Sequence, residues 1–185
     1  MTKLDMRAIT SRSIKTNLYL FLAAMSYPKE GVSYIDRLDL RSKSAIAAYV
    51  TDVANYRTVQ KSFENLEANG YLEYDSCFDV YELNEKFENR FIEISPQKAD
   101  ELCQTLSNDE NSLLLFLYDK CRYFGGKYTT TQGKLAEDAW ELTDTSKNRS
   151  RIKQALNKLM TDGKLKWKRV KKLSTYRVEI SDVHL

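Results

Sequence analysis

Two stretches of this chain, each twenty residues long, share one pattern at an offset of 93 positions. The first is NYRTVQKSFENLEANGYLEY (residues 55–74), and the second is NRSRIKQALNKLMTDGKLKW (residues 148–167). They align without a gap, with Val59 on Ile152, Phe63 on Leu156, Leu66 on Leu159, Gly70 on Gly163 and Leu72 on Leu165. The pattern predicts an amphipathic helix, a glycine that ends it, and the start of a strand.

Two further blocks extend the repeat on either side. NLYLFL (17–22) resembles SLLLFL (112–117), and FIEIS (91–95) resembles RVEIS (177–181). The blocks come in the same order in both halves, which indicates a duplicated structural unit. The alternative, that two amphipathic helices are alike by chance, requires three coincidences in the same order.

The second half has the clearer start and stop signals. Ser107-x-x-Glu110 has the form of a capping box, and Asp162-Gly163 is typical of a helix end. We predict a helix to about residue 122, a strand at 127–131, a helix at 132–142, a helix capped by Thr145 or Ser146, and strands at 164–170 and 176–180 joined by the tip 171–174.

The first half is predicted to follow the same order. We expect a helix near 13–26, helical material across 35–52, a helix at 55–69 and strands near 71–77 and 90–94, with a longer hairpin connection. Ser95-Pro96 then begins a helix, since proline is tolerated at the first helical position. The predicted class is α+β, mainly α, with one domain at 1–95, a linking helix at 96–106 and a second domain at 107–185.

The junctions ENLEANGYLEY and NKLMTDGKLKW, with GKLAEDAW before the second, resemble the winged helix-turn-helix family. The resemblance covers almost the whole chain, as two copies in tandem. It implies that the third helix of a copy enters the major groove of duplex DNA while the hairpin, or wing, touches the backbone. Some winged helices only hold proteins together, so the resemblance indicates the fold more strongly than the function.

Positive charge is concentrated in one segment. Residues 146–177 hold twelve Lys or Arg and one acid, Asp162, whereas the rest of the chain holds seventeen basic and twenty-five acidic residues. A chain of net charge +3 therefore joins a segment of +11 to a remainder of −8. The segment is either a charged hairpin exposed to solvent without a binding function, or a surface that binds phosphate groups.

The buried stripe of the helix at 148–161 fixes which side chains point outward. Gln and Asn can pair with adenine edges, and Arg and Lys with guanine or phosphate. For the second domain we predict these DNA-binding residues on the helix: Lys147, Asn148, Arg149, Ser150, Arg151, Lys153, Gln154 and Asn157. On the wing we predict Lys166, Lys168, Arg169, Lys171 and Lys172.

The first copy differs in its hairpin. Its helix is predicted to present Tyr56, Arg57, Thr58 and Lys61 to DNA. Its hairpin is acidic, and phosphate would repel it, so we expect either a protein partner there or a purely supporting role: Glu73, Asp75, Asp79, Glu82, Glu85 and Glu88. Two copies in one chain would act as a built-in dimer, with reading helices roughly 34 Å apart on unequal half-sites.

Catalytic and metal-binding patterns are missing from the sequence. His184, the sole histidine, is the next-to-last residue, and FGGKYTTT (124–131) lacks the spacing of a phosphate loop. We expect no enzyme activity, no cofactor and no metal. The odd count of three cysteines favours reduced packing thiols in a cytoplasmic protein, and no apolar run is long enough for a membrane helix.

The leading hypothesis is a sequence-specific, non-enzymatic protein that binds double-stranded DNA. Small tandem winged-helix proteins are common on plasmids, phages and conjugative elements, so the resemblance implies transcription regulation or the marking of an origin of replication or conjugative transfer. A tandem winged-helix scaffold in a chromosome or plasmid maintenance complex is the alternative, and binding of structured RNA is a third. The basic segment argues against a pure scaffold, and the lack of an RNA-binding motif argues against RNA.

Overall fold

The computed structural model of the protein describes residues 1–29, 32–40, 42–84, 90–170 and 177–185. The chain divides into two compact units, Met1–Asn108 and Asp109–Leu185. Each contains helices and antiparallel strands, which confirms the α+β class.

The first unit has two antiparallel sheets. Its elements in chain order are β1 (Thr2–Asp5), α1 (Met6–Thr10), α2 (Thr16–Met25), β2 (Tyr27–Lys29), β3 (Val32–Asp36), α3 (Lys43–Tyr49), α4 (Tyr56–Ala68), β4 (Leu72–Asp75), β5 (Val80–Leu83), β6 (Phe91–Ile94) and α5 (Pro96–Thr105). The larger sheet has the order β2-β3-β5-β4, and β1 pairs with β6 in a separate ribbon. Helix α2 is buried along its whole first two turns, which makes it the core helix of the unit.

A buried asparagine joins three segments of the first unit. Asn17, on α2, donates from Nδ2 to the carbonyl oxygens of Thr51 and Leu106, each at 2.7 Å. Its backbone N–H donates to Oδ1 of Asn108 at 3.0 Å. These bonds give hydrogen-bond donors to two backbone carbonyls inside the unit, and they hold the end of α5 against the start of α2.

The strand predicted near 90–94 is present as β6, but its predicted hairpin pairing with the strand near 71–77 is wrong. The strand that pairs with β4 is β5, which follows directly after a turn at residues 76–79 in which Asp79 has a positive φ of 55°. The FIEIS strand, β6, pairs instead with β1 at the N-terminus. Sequence likeness could not reveal this, because β6 is specified by a partner about ninety residues away.

Two other expectations for the first half also need correction. The stretch 35–52 is not helical throughout, since its first residues belong to β3 and only Lys43–Tyr49 forms a helix. The predicted linking helix at 96–106 is present as α5, but it belongs to the first unit, where it packs against α2. The division between units falls after Asn108, not at residues 95 and 107.

The second unit follows the predicted order of elements. They are α6 (Asn108–Tyr123), β7 (Lys127–Thr131), α7 (Gln132–Trp140), α8 (Ser146–Thr161), β8 (Lys166–Arg169) and β9 (Arg177–Ser181). The sheet has the order β7-β9-β8, so the last strand lies between the other two. The core contains the apolar side chains of the three helices and the inward residues of β9, Val178 and Ile180.

Candidate nucleic-acid interface

Helix α8 owes its position to its caps and to its apolar stripe. Thr145 caps it, since Thr145 Oγ1 accepts from the backbone N–H of Asn148 at 3.2 Å. Gly163, with φ of 68°, ends it in the left-handed conformation that glycine adopts at little cost. Its buried side chains recur at intervals of three and four residues: Ile152, Ala155, Leu156 and Leu159. The stripe therefore turns the opposite face of the helix to solvent.

That outward face is polar and exposed. Five of its side chains form no hydrogen bond or ion pair with any other residue that the structure describes: Lys147, Ser150, Lys153, Gln154 and Asn157. Ser150, Gln154 and Asn157 follow one another at intervals of four and three, so they lie along one line of the helix surface. Uncharged donors and acceptors thus stand between two lysines, an arrangement suited to base edges flanked by phosphates.

The two residues before Ser150 have local structural roles. Asn148 donates from Nδ2 to the Thr143 carbonyl at 2.9 Å, which closes the loop that enters the helix. Arg149 forms a two-point ion pair with Asp144 in the same loop. The hydrogen bond from Arg149 holds the pKa of the Asp144 carboxyl below its ordinary value.

Arg151 and Lys158 fasten α8 to the beginning of α6. Arg151 Nη2 donates to Asp109 Oδ2, and its Cζ lies 5.3 Å from the centre of the Trp140 ring. Lys158 Nζ donates to Glu110 Oε2 at 2.7 Å. Asp109 and Glu110 also lie in the first turn of α6, where acidic side chains interact favourably with the helix dipole. Both cations therefore contribute to packing within the unit.

Two of the cations on the strands of the wing form ion pairs. Lys166 Nζ lies 3.0 Å from Asp182 Oδ2, and Lys168 Nζ lies 3.1 Å from Glu179 Oε1 across the β8–β9 ladder. Arg169, at the end of β8, has no ion pair within the described ranges. Lys171 and Lys172, predicted for the tip, lie outside the described residues.

The positive field is weaker than the basic segment alone suggests. Five of its twelve cations pair with carboxylates outside residues 146–177: Arg149, Arg151, Lys158, Lys166 and Lys168. Residues 109–185 include sixteen basic and ten acidic residues, which gives a net charge of +6. Residues 1–108 include thirteen basic and sixteen acidic residues, which gives a net charge of −3. The excess nevertheless stays with the second unit, and the cations best placed for an external anion are Lys147, Lys153 and Arg169.

Helix α4 of the first unit presents a mixed surface. Arg57 lies against the ring of Tyr56, with Nε 3.2 Å from the Tyr56 hydroxyl. Thr58 is occupied by the helix cap, since its N–H and hydroxyl both donate to Asn55 Oδ1. Lys61 is exposed, but the next turn carries Glu64 on the same face. Of the four predicted residues, Arg57 and Lys61 are the ones placed to meet an anion.

The β4–β5 hairpin of the first unit ends in an acidic, aromatic tip. Asp75 accepts from the N–H of Cys77 at 2.8 Å, and Phe78 beside it is 78% exposed. The Tyr74 hydroxyl donates to Asp79 at 2.5 Å and Arg37 pairs with Asp79 at 3.1 Å, and these bonds lower the pKa of that carboxyl. Of the six predicted acids, Glu85 and Glu88 lie outside the described residues.

Cys77 is exposed, which contradicts its predicted packing role, whereas Cys103 and Cys121 are buried.

Three features bear on other chemistry. Among the described residues, no group of three or more His, Cys, Asp or Glu side chains is arranged to hold a metal ion. Their helices also include none with the length and apolar character that a membrane crossing requires. His184 is exposed, and its backbone N–H donates to the Lys164 carbonyl at 2.9 Å.

Comparison of the chain with protein-family models, with curated proteins and with solved structures found no match.

Proposed function

We propose that this protein binds double-stranded DNA in a sequence-specific manner, without catalytic activity, through two winged-helix units. The observation that carries the proposal is the outward face of α8, where Ser150, Gln154 and Asn157 stand between Lys147 and Lys153 without partners in the described part of the chain. Support for the fold comes from the helix-strand-helix-helix-strand-strand order of the second unit and from its strand order β7-β9-β8.

The chemistry of this face separates reading from positioning. Gln154 and Asn157 can each make paired hydrogen bonds to an adenine edge, and Ser150 can donate or accept at any base. Lys147 and Lys153 would contact phosphates on either side, and Arg169 would contact the backbone from the wing strand. Arg149, Arg151 and Lys158 would hold the helix in place, since each already bonds a carboxylate of its own unit.

The first unit would contribute less to the duplex contact. Arg57 and Lys61 form a small basic area on α4, while the β4–β5 hairpin carries Glu73, Asp75, Asp79 and Glu82. Phosphate would repel such a hairpin. Its exposed Phe78 and its carboxylates favour a second candidate function for this unit, the binding of a basic protein partner. Regulation of transcription, or marking of an origin of replication or transfer, would be consistent with both activities.

Selection from a pool of random 30-base-pair duplexes tests the proposal. The wild type should enrich a defined site, whereas Gln154→Ala/Asn157→Ala should lose sequence preference and keep weak, salt-sensitive binding. Gln97→Ala, an exposed glutamine on α5 of the first unit, serves as the control and should enrich the wild-type site. Failure of the wild type to bind any duplex at low salt, or the same enrichment by the double variant, would refute the proposed reading face.

A further inference from the structure

A cluster of aromatic rings lies on the second unit where α6 ends and β7 begins. Tyr123 is 73% exposed and Phe124 is 53% exposed. Their ring centres are 5.0 Å apart in an edge-to-face arrangement, and Phe124 stacks on Tyr128 at 5.6 Å with an interplanar angle of 18°. Phe116 lies behind, edge-on to Tyr128 at 6.4 Å. The rings are thus supported from within the unit and keep much of their surface in water, which is costly for large apolar side chains.

The turn that displays these rings is built by the backbone. The N–H of Phe124 donates to the Lys120 carbonyl at 3.0 Å, and that of Gly126 donates to the Cys121 carbonyl at 2.7 Å. Gly125 and Gly126 have φ values of 68° and 93°, which side-chain-bearing residues rarely adopt. Apart from the adjacent residues of the chain, no described atom lies within 4 Å of the position that a Cβ would take at either glycine, so the space over the turn is open.

The sequence around the aromatic cluster is mainly basic. Between residues 118 and 128 the sequence holds Lys120, Arg122 and Lys127 against one acid, Asp119. Arg122 and Lys127 are exposed, and Lys120 Nζ lies 5.2 Å from the centre of the Phe116 ring. Exposed rings set among cations are the elements with which proteins hold unpaired nucleobases and their phosphates.

The size of the cluster argues against a large, mainly apolar protein interface. A stable protein interface buries about 800 Å² on each partner, whereas one aromatic side chain offers about 150–250 Å². The exposed large apolar side chains of the described second unit are Tyr123, Phe124 and Met160, so no aliphatic surface extends the cluster. Two rings match the area of one or two stacked bases.

The cluster and the residues that lead into the wing tip lie at opposite ends of the sheet. The cluster lies at the Lys127 end of β7, whereas Thr131 at the other end pairs with Arg177 on the side of the wing tip. We propose that Tyr123, Phe124 and the flanking Arg122 and Lys127 form a second nucleic-acid site that stacks the bases of a single strand. Such a site would let the protein hold a strand that has been opened, in addition to a duplex.

Fluorescence anisotropy with labelled dT15, rU15 and a 15-base-pair duplex tests this site. Tyr123→Leu/Phe124→Leu removes the stacking rings and keeps apolar side chains, and it should weaken dT15 binding about tenfold or more while duplex binding is unchanged. Phe78→Leu, which alters an equally exposed ring in the first unit, should keep wild-type affinity for dT15. The rU15 titration shows whether the strand held is DNA, RNA or both.

Three results would overturn the proposal. The wild type could fail to bind dT15 and rU15 at about 50 mM salt, or the ring variant could bind them as tightly as the wild type. The third result would be that the wild type sediments as a dimer and the ring variant as a monomer, which would mean that the rings contact a second copy of the chain. Loss of duplex binding with retained dT15 binding would instead contradict only the duplex function, so the two failures are distinguishable.

Discussion

Arg149 and Asp144 form a two-point ion pair, with Nε 2.5 Å from Oδ1 and Nη2 2.7 Å from Oδ2. The pair joins the loop before α8 to the first turn of that helix. The Asp144 carboxylate also lies so close to Gly133 that a Cβ on residue 133 would overlap it. A cation that the sequence assigns to phosphate is therefore neutralised by its own unit. DNA affinity should depend on which carboxylates hold the cations as well as on how many cations there are.

Asp144→Asn is expected to strengthen duplex binding by about threefold at 0.1 M salt. The substitution removes one negative charge near the proposed interface and frees Arg149 for a phosphate. Anisotropy titrations against one duplex measure the change, with Asp100→Asn in the first unit as a charge-matched control. Weaker binding by Asp144→Asn would show that the loop geometry matters more than the released cation.

The pH dependence of the same pair has a definite sign. The pKa of Asp144 is lowered by Arg149, so its contribution to stability is present above the unfolded pKa, about 3.9, and is lost as the pH falls through the lower folded value. A carboxyl-carbon NMR titration should give Asp144 a midpoint below 3.9 in the wild type and a higher midpoint in Arg149→Ala. An unchanged midpoint in the variant would mean that the pair does not persist in solution.

Thiol reactivity should distinguish Cys77 from the other two cysteines. Burial raises the pKa of Cys103 to about 12 and that of Cys121 to about 11, so both stay protonated and covered at pH 8. Titration of the native protein with a chromogenic disulfide should release one equivalent rapidly, and three after denaturation. Cys77→Ser should abolish the rapid phase, and two or three rapid equivalents would contradict the described burial.

Asn17→Ala should destabilise the first unit by about 2–4 kcal/mol. The variant removes the donors that Asn17 supplies to the Thr51 and Leu106 carbonyls. The loss costs about 1–3 kcal/mol at the buried bond to Leu106 and less at the half-buried bond to Thr51. Denaturant unfolding followed by circular dichroism measures the loss. Asn69→Ala, at the exposed C-cap of α4, is the matched control and should change the unfolding free energy much less.

Local signals allowed most of the second unit to be predicted. The cap at Thr145, the stop at Gly163 and the apolar repeat from Ile152 to Leu159 act within one helix, and all are present in the structure. β7 likewise has the predicted bounds, Lys127–Thr131. In this unit adjacent residues of the sequence determine both the elements and the outward face of α8.

The first unit was harder to predict because its elements depend on distant partners. β1 and β6 form a ribbon between the two ends of the unit, and β2 and β3 are short strands without a clear alternating pattern. The aromatic cluster at Tyr123 and the ion pairs of Arg149 and Arg151 were also missed. A count of charged residues in the sequence predicts neither which aromatic rings are exposed nor which carboxylate pairs with a given cation.

In the proposed function, Lys147 and Lys153 flank the face of α8 that reads duplex DNA. The most direct measurement is the salt dependence of affinity for the selected duplex, for the wild type, Lys147→Ala/Lys153→Ala and the charge-matched control Lys29→Ala/Lys98→Ala in the first unit. The logarithm of affinity should fall with the logarithm of salt at a slope of about −5 in the wild type and the control, and of about −3 in the α8 variant. Equal slopes for the α8 variant and the wild type, or no duplex binding at low salt, would contradict the proposed role of α8 in duplex binding.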